Sequence, residues 1–156
     1  MNRYAQHTSV SVEKSRNEIE RTLLRYGAQA FRYSWRIGLA VIEFAIDSRH
    51  IRFSLPMPRR DDPEFSKTST GKARARNVAE KAWEQACRQR WRALALAIKA
   101  KLEAVESGIA DFEQEFLAYV VDPGSNRTVA EIIRPQLETS YTAEAGGSQL
   151  LLNQEK

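Results

Sequence analysis

The chain has a single cysteine, Cys87, and only two histidines, His7 and His50. One thiol excludes an intramolecular disulfide and fits a reducing compartment. Three such residues cannot assemble a Cys/His zinc site within one chain. The roughly 18 to 20 consecutive apolar residues that a membrane helix needs are also missing. The most apolar stretch, Leu39 to Ile46, is interrupted by Glu43. The first residues, Met1 to His7, lack an apolar centre and a small-residue cleavage site, so no secretory signal is expected. These absences point to a cytoplasmic protein with no cofactor, no metal and no membrane contact.

What is present is a chain of 156 residues, 42% hydrophobic and 28% charged, enough for one domain with a substantial core. Its formal charge of +4 is unevenly spread. Residues 1–60 carry a net charge of about +6, residues 61–106 about +3 and residues 107–156 about −5. The densest basic stretch, Lys72 to Lys101, has nine Lys or Arg against Glu80 and Glu84. Charge separated in this way says more about a partner than charge spread evenly.

The pattern of apolar residues predicts an α+β fold in the order α-β-β-β-α-α. Ser15-Arg16-Asn17-Glu18 has the form of a capping box, and Ile19, Leu23 and Tyr26 follow at helical spacing up to Gly27, with Ser11 as an alternative start. Alternation then sets in. Phe31, Tyr33 and Trp35 face one way while Arg32, Ser34 and Arg36 face the other. Turns at Ile37-Gly38 and Asp47 to His50 divide this region into a three-stranded antiparallel meander, which Pro56 and Pro58 end. Residues 59–71, without periodicity, read as a mobile surface loop.

A long amphipathic helix is predicted from near Ala73 to Ser107. Trp83, Cys87, Trp91, Leu94, Ile98, Leu102 and Val105 fall on one stripe of it. Further helices should span Ile109 to Val121 and, capped by Thr128, a short stretch through Ile133. The expected layout is one domain over residues 1–137 and a flexible tail over 138–156. Its core should join Phe31, Tyr33, Trp35 and Phe53 to Trp83, Trp91 and Leu94.

Catalytic patterns fail on particular residues. Thr70-Gly71-Lys72 has Ser66 where a phosphate-binding loop needs glycine and Ala73 where it needs Ser or Thr. Glu43 and Asp47 sit where a metal-dependent nuclease would place carboxylates, but His50 to Leu55 lacks the carboxylate-x-lysine pair. Glu43 then reads as a solvent-facing residue and Asp47 as the start of a turn. Cys87 lies on the apolar stripe, which favours an inert thiol, and His50 reads as a turn residue. No enzymatic activity is expected.

Two basic surfaces remain. Lys81, Arg88, Arg92 and Lys99 line up along the long helix beside its apolar stripe, and Arg32, Arg36 and Arg52 share one face of the sheet. Such surfaces attract phosphates by releasing counterions, and Tyr33 or Trp35 would add base stacking if exposed. These seven residues are the candidate nucleic-acid contacts, with single-stranded DNA or RNA favoured. The alternative is a protein-interaction module, such as a host-defence inhibitor or homo-oligomeric scaffold, that binds an acidic partner surface. The acidic segment from Asp111 to Glu138 offers such a surface on a neighbouring copy.

Several short stretches carry a resemblance. Val12 to Arg16, Glu18 to Leu23, Arg25 to Ala28, Ile51 to Phe53, Leu55 to Pro58, Gln89 to Leu94 and Ile98 to Glu106, with Arg127 to Val129 and Pro135-Gln136, resemble an uncharacterised family of small proteins from tailed bacteriophages and prophages. The resemblance implies a phage-derived accessory protein acting in the cytoplasm of the bacterial host cell; it transfers no site residues. The expected topology is also loosely similar to single-strand annealing proteins of the Rad52 type.

Overall fold

The computed structural model describes residue 5 and residues 7–143. The fold is α+β. Helix α1 (Val12–Arg25) leads into strands β1 (Ala30–Arg36), β2 (Leu39–Ile46) and β3 (Arg49–Pro56), followed by a one-turn helix α2 (Pro63–Ser66) and the 31-residue helix α3 (Arg76–Glu106). A short α4 (Phe112–Phe116), a 3₁₀ turn (Leu117–Tyr119), a two-residue hairpin of β4 (Val121–Asp122) and β5 (Arg127–Thr128), and helix α5 (Val129–Ala143) complete it.

The three long strands pair antiparallel in the order β1-β2-β3. Two-residue turns fix their register. Gly38 at φ 77° lets Arg36 pair with Leu39, and Asp47 and Ser48, both left-handed, let Ile46 pair with Arg49. One face of this sheet is apolar and carries α1, α3 and α4. Ile42, Phe44, Ile51 and Phe53 are buried there beneath Ile19 and Leu23 of α1 and Trp91, Leu94, Ile98 and Leu102 of α3. Phe116 meets Phe44 and Phe53 edge-on at 6.2 and 6.4 Å, and Trp91 meets Tyr33 at 5.4 Å. The opposite face carries no helix of this layer.

Helix α1 begins at Val12, one turn before the Ser15 box. The Ser11 hydroxyl caps it by accepting from the Lys14 amide, and Ser15 lies buried in its interior. The 59–71 segment holds more structure than its composition suggested. Phe65 is buried, Trp83 donates to the Pro58 carbonyl at 2.9 Å, and Lys67 bridges Ala73. Trp83 is therefore half-buried against this segment rather than set in the sheet core. Trp35 is a further correction: its strand parity is that of the core face, yet it is 71% exposed. It stands at the end of β1, past the part of the sheet that the helices cover.

The C-terminal helix is longer than expected. Thr128 and Glu131 form a reciprocal capping box, with amide-to-side-chain distances of 2.8 and 3.2 Å, and the helix continues past 137 to Ala143. Pro135 stands inside it and cannot donate to the carbonyl of Glu131. The Arg127 guanidinium supplies that missing donor. The remainder of the expected tail, residues 144–156, lies outside the described residues.

Candidate nucleic-acid interface

The sheet register places Arg32, Glu43 and Arg52 directly abreast on the open face. Glu43 is only 6% exposed, covered by the residues it binds. One carboxylate oxygen accepts from Arg32 Nε at 2.8 Å and from its Nη2; the other accepts from Arg52 Nε at 2.9 Å and lies 3.1 Å from His50 Nε2. Burial alone would raise the Glu43 carboxyl, but the hydrogen bonds and charges of the two arginines outweigh it and hold the group below its ordinary range. The expectation of a solvent-facing Glu43 is thus corrected. A carboxylate between two guanidinium groups loses its water without losing its partners.

Arg52 has a second task. Its Nη1 donates to the Asn126 carbonyl and its Nη2 to the Asn126 side chain, both at 2.9 Å. Asn126 holds a left-handed φ of 55° in the β4-β5 turn, so Arg52 fastens that turn to β3. Nε and both terminal nitrogens are engaged, which makes Arg52 a structural clamp.

On α3 the stripe divides. Arg92 pairs with Glu18 of α1, and Arg88 donates to Gln85, whose own amide reaches the Thr8 carbonyl at 3.0 Å. Both arginines thereby help seat the N-terminal segment on α3. Lys81 and Lys99 are exposed and make no ion pair with a described residue, as is true of Arg36 on the sheet. Eighteen residues separate the two lysines, about 27 Å along the helix. The seven candidates therefore do not converge on one patch: four are engaged within the fold and three are dispersed.

A denser set of unpaired cations lies where α3 begins. Between Ser66 and Ala79 the chain carries Lys67, Lys72, Arg74 and Arg76 and no acid. The backbone closes this segment into a small loop through Thr68 N to Lys72 O at 2.8 Å and Arg74 N to Ser66 O at 2.8 Å. None of the four cations forms an ion pair with a described residue. Of the acids that flank this run, Asp61 and Glu80 are held by Arg59 and Arg60, while Asp62 and Glu64 form no ion pair with a described residue. The run of four cations without an acid was the signal for this region, obscured by a composition that reads as slack loop.

The ends of α3 have unusual polarity. Acids at a helix start and cations at its end oppose the helix dipole and stabilise it. Here the first turn has Arg76 and no acid, and the last turn has no cation but contains Glu103 and Glu106. The side chains thus add to the dipole, and the start of α3 is a concentrated positive end.

Other features offer less chemistry. Burial pushes the Cys87 thiol up to about 11 despite Arg60 and Arg88 nearby, which leaves it protonated and inert at neutral pH. No group of three or more His, Cys, Asp or Glu among the described residues could hold a metal ion. An open groove of about 560 Å³ runs between Arg52, Asn126, Arg127, Glu131, Arg134, Pro135 and Glu138, but Glu131 and Glu138 in its lining would repel a polyanion. No described helix is long and apolar enough to cross a membrane. No protein-family model matches the chain, nor does any curated protein or solved structure.

Proposed function

We propose that this protein binds nucleic acid without catalysing a reaction on it, and that its main phosphate contacts lie at the start of α3. The observation that carries this reading is that Lys67, Lys72, Arg74 and Arg76 form no ion pair with a described residue, beside a helix end whose dipole reinforces their charge. Like charges held together with no acid among them destabilise a fold slightly; an external polyanion relieves that repulsion.

The test is a titration of labelled single-stranded and duplex oligonucleotides at low and moderate salt. Affinity should fall steeply with salt, with a slope of roughly −0.7 to −0.9 for each phosphate neutralised. No binding at low salt would end this reading.

A second reading, attachment to another protein chain, has its own observation. Helix α5 has 15 residues and none is buried, while Ile133, Leu137 and Tyr141 stand exposed at four-residue spacing. Isolated helices of this length are marginal in water. Light scattering on the full chain tests self-association; a monomer at high concentration would exclude a second copy as the cover.

A further inference from the structure

The tip of the β1-β2 hairpin presents Trp35, Arg36 and Ile37 in succession, all exposed, the two apolar residues at 71% and 80%. From Arg21 to Ile42 the sequence contains four cations and no acid. We infer that this tip is a base-stacking element for single-stranded nucleic acid, with the Trp35 indole as the platform and Arg36 as a phosphate contact. The inference rests on the nucleic-acid reading above and adds which strand form is preferred and which side chain selects it.

The tip is built to stay in place. Arg36 pairs with Leu39 across a two-residue turn, so the turn has little freedom. The Met57 amide donates to the Gly38 carbonyl at 3.0 Å, which ties the turn to the end of β3. Arg59 lies against the turn: a Cβ on Gly38 would meet its side chain at 3.7 Å. From there the chain passes to Pro58, whose carbonyl receives the Trp83 indole, and to Arg60, which stacks over Trp83 at 4.3 Å. The hairpin tip is thereby linked through two short contacts to the segment leading into the cation-rich start of α3.

Charge and shape select the occupant. An exposed indole has two π faces for a base, and base–aromatic stacking tolerates any sequence. In a duplex those base faces are already covered by neighbours, so a single strand is the ligand that uses this platform. Arg59 and Arg60 are paired to Asp61 and Glu80, but those pairs are solvent-exposed and exchange readily for phosphate. Tyr33, the other aromatic candidate on β1, has Trp91 at its edge and Arg16 over its ring, so it is not available as a platform.

The experiment uses the full chain and a labelled oligothymidylate of about twelve nucleotides, its duplex with oligoadenylate, and vesicles of anionic phospholipid. Trp35→Ala should weaken single-strand binding roughly ten- to a hundredfold with the salt slope unchanged, and Trp35→Phe should restore most of it. Arg36→Glu should flatten the salt slope instead. In the unmodified protein, saturation with oligothymidylate should protect one indole from acrylamide quenching, a readout that needs no variant. Undiminished binding by Trp35→Ala would overturn the stacking role and leave the phosphate reading intact. Equal or tighter duplex binding would overturn the strand preference. Loss of all oligonucleotide binding by the unmodified protein would remove both readings. Vesicle binding with an indole blue shift, and no oligonucleotide binding, would assign the tip to a lipid surface instead.

Discussion

The open face of the sheet and the start of α3 are both rich in cations, and they treat them in opposite ways. On the sheet, Arg32 and Arg52 enclose a single buried carboxylate, and Arg52 goes on to hold the β4-β5 turn. At the start of α3, four cations stand together without an acid. Cation content does not separate the two regions. Strand register does: it sets Glu43 between two arginines on neighbouring strands, about 4.8 Å to either side. The loop before α3 has no carboxylate to place. A positive surface is therefore defined by the cations left after internal pairing, and by that measure the sheet face is structural and the α3 end is available to a partner.

The sharpest way to break this contrast is to remove Glu43. Glu43→Ala leaves two guanidinium groups facing each other with no counter-charge. Taking one partner from a fully buried pair costs about 3–5 kcal/mol; Arg32 is largely in water, so the expected loss is about 2–3 kcal/mol. Urea denaturation measures it. A loss below about 0.5 kcal/mol would mean that the clamp is not formed in solution and that both arginines are available for phosphate.

The next effect falls on the other region. Reversing Lys72, Arg74 and Arg76 to Glu together should lower oligonucleotide affinity by about tenfold or more at low salt and reduce the salt slope by roughly 2, with folding nearly unchanged. Stability should rise slightly, because acids at a helix start suit the dipole. Intact affinity in this variant would move the interface to the hairpin tip alone.

How much of this contrast was legible in the chain depends on which step it needed. The helices and strands follow from period and turn residues, and Thr128 was readable as a cap. The Glu43 clamp was nearly legible: once two-residue turns are placed at Ile37-Gly38 and Asp47-Ser48, the pairings of Arg32 with Glu43 and Glu43 with Arg52 follow by counting. The commitments of Arg88 and Arg92 were not, because they depend on how α1 and its leading segment lie against α3. Trp35 was misplaced for a similar reason. Alternation assigns a side chain to a face, but only tertiary packing decides how far along the strand that face is covered.

Acid sharpens the contrast further. Glu43 titrates below its ordinary value of 4.5 in the folded state. A carboxylate with a depressed folded pKa contributes stability that is complete above its unfolded value and is lost as pH falls through the folded one. The stability difference between the unmodified protein and Glu43→Gln should therefore stay level above about pH 5 and shrink as the pH drops below 4.5. A difference that persisted unchanged well below that range would show that Glu43 acts through packing rather than charge.

The smallest expected effect is the most discriminating. Arg32 is 71% exposed at its side chain, and two of its nitrogens hold Glu43, while Nη1 makes no hydrogen bond with a described residue. If the sheet face is structural, Arg32→Ala should shift oligonucleotide affinity by less than about twofold and the salt slope by well under one unit. Its mark should fall on folding instead, as a loss of about 1 kcal/mol from one partner of a half-exposed pair. A full unit lost from the salt slope would reverse the assignment: Glu43 would then be a positioning residue that aims a guanidinium at phosphate, and the two cation-rich regions would be parts of one interface.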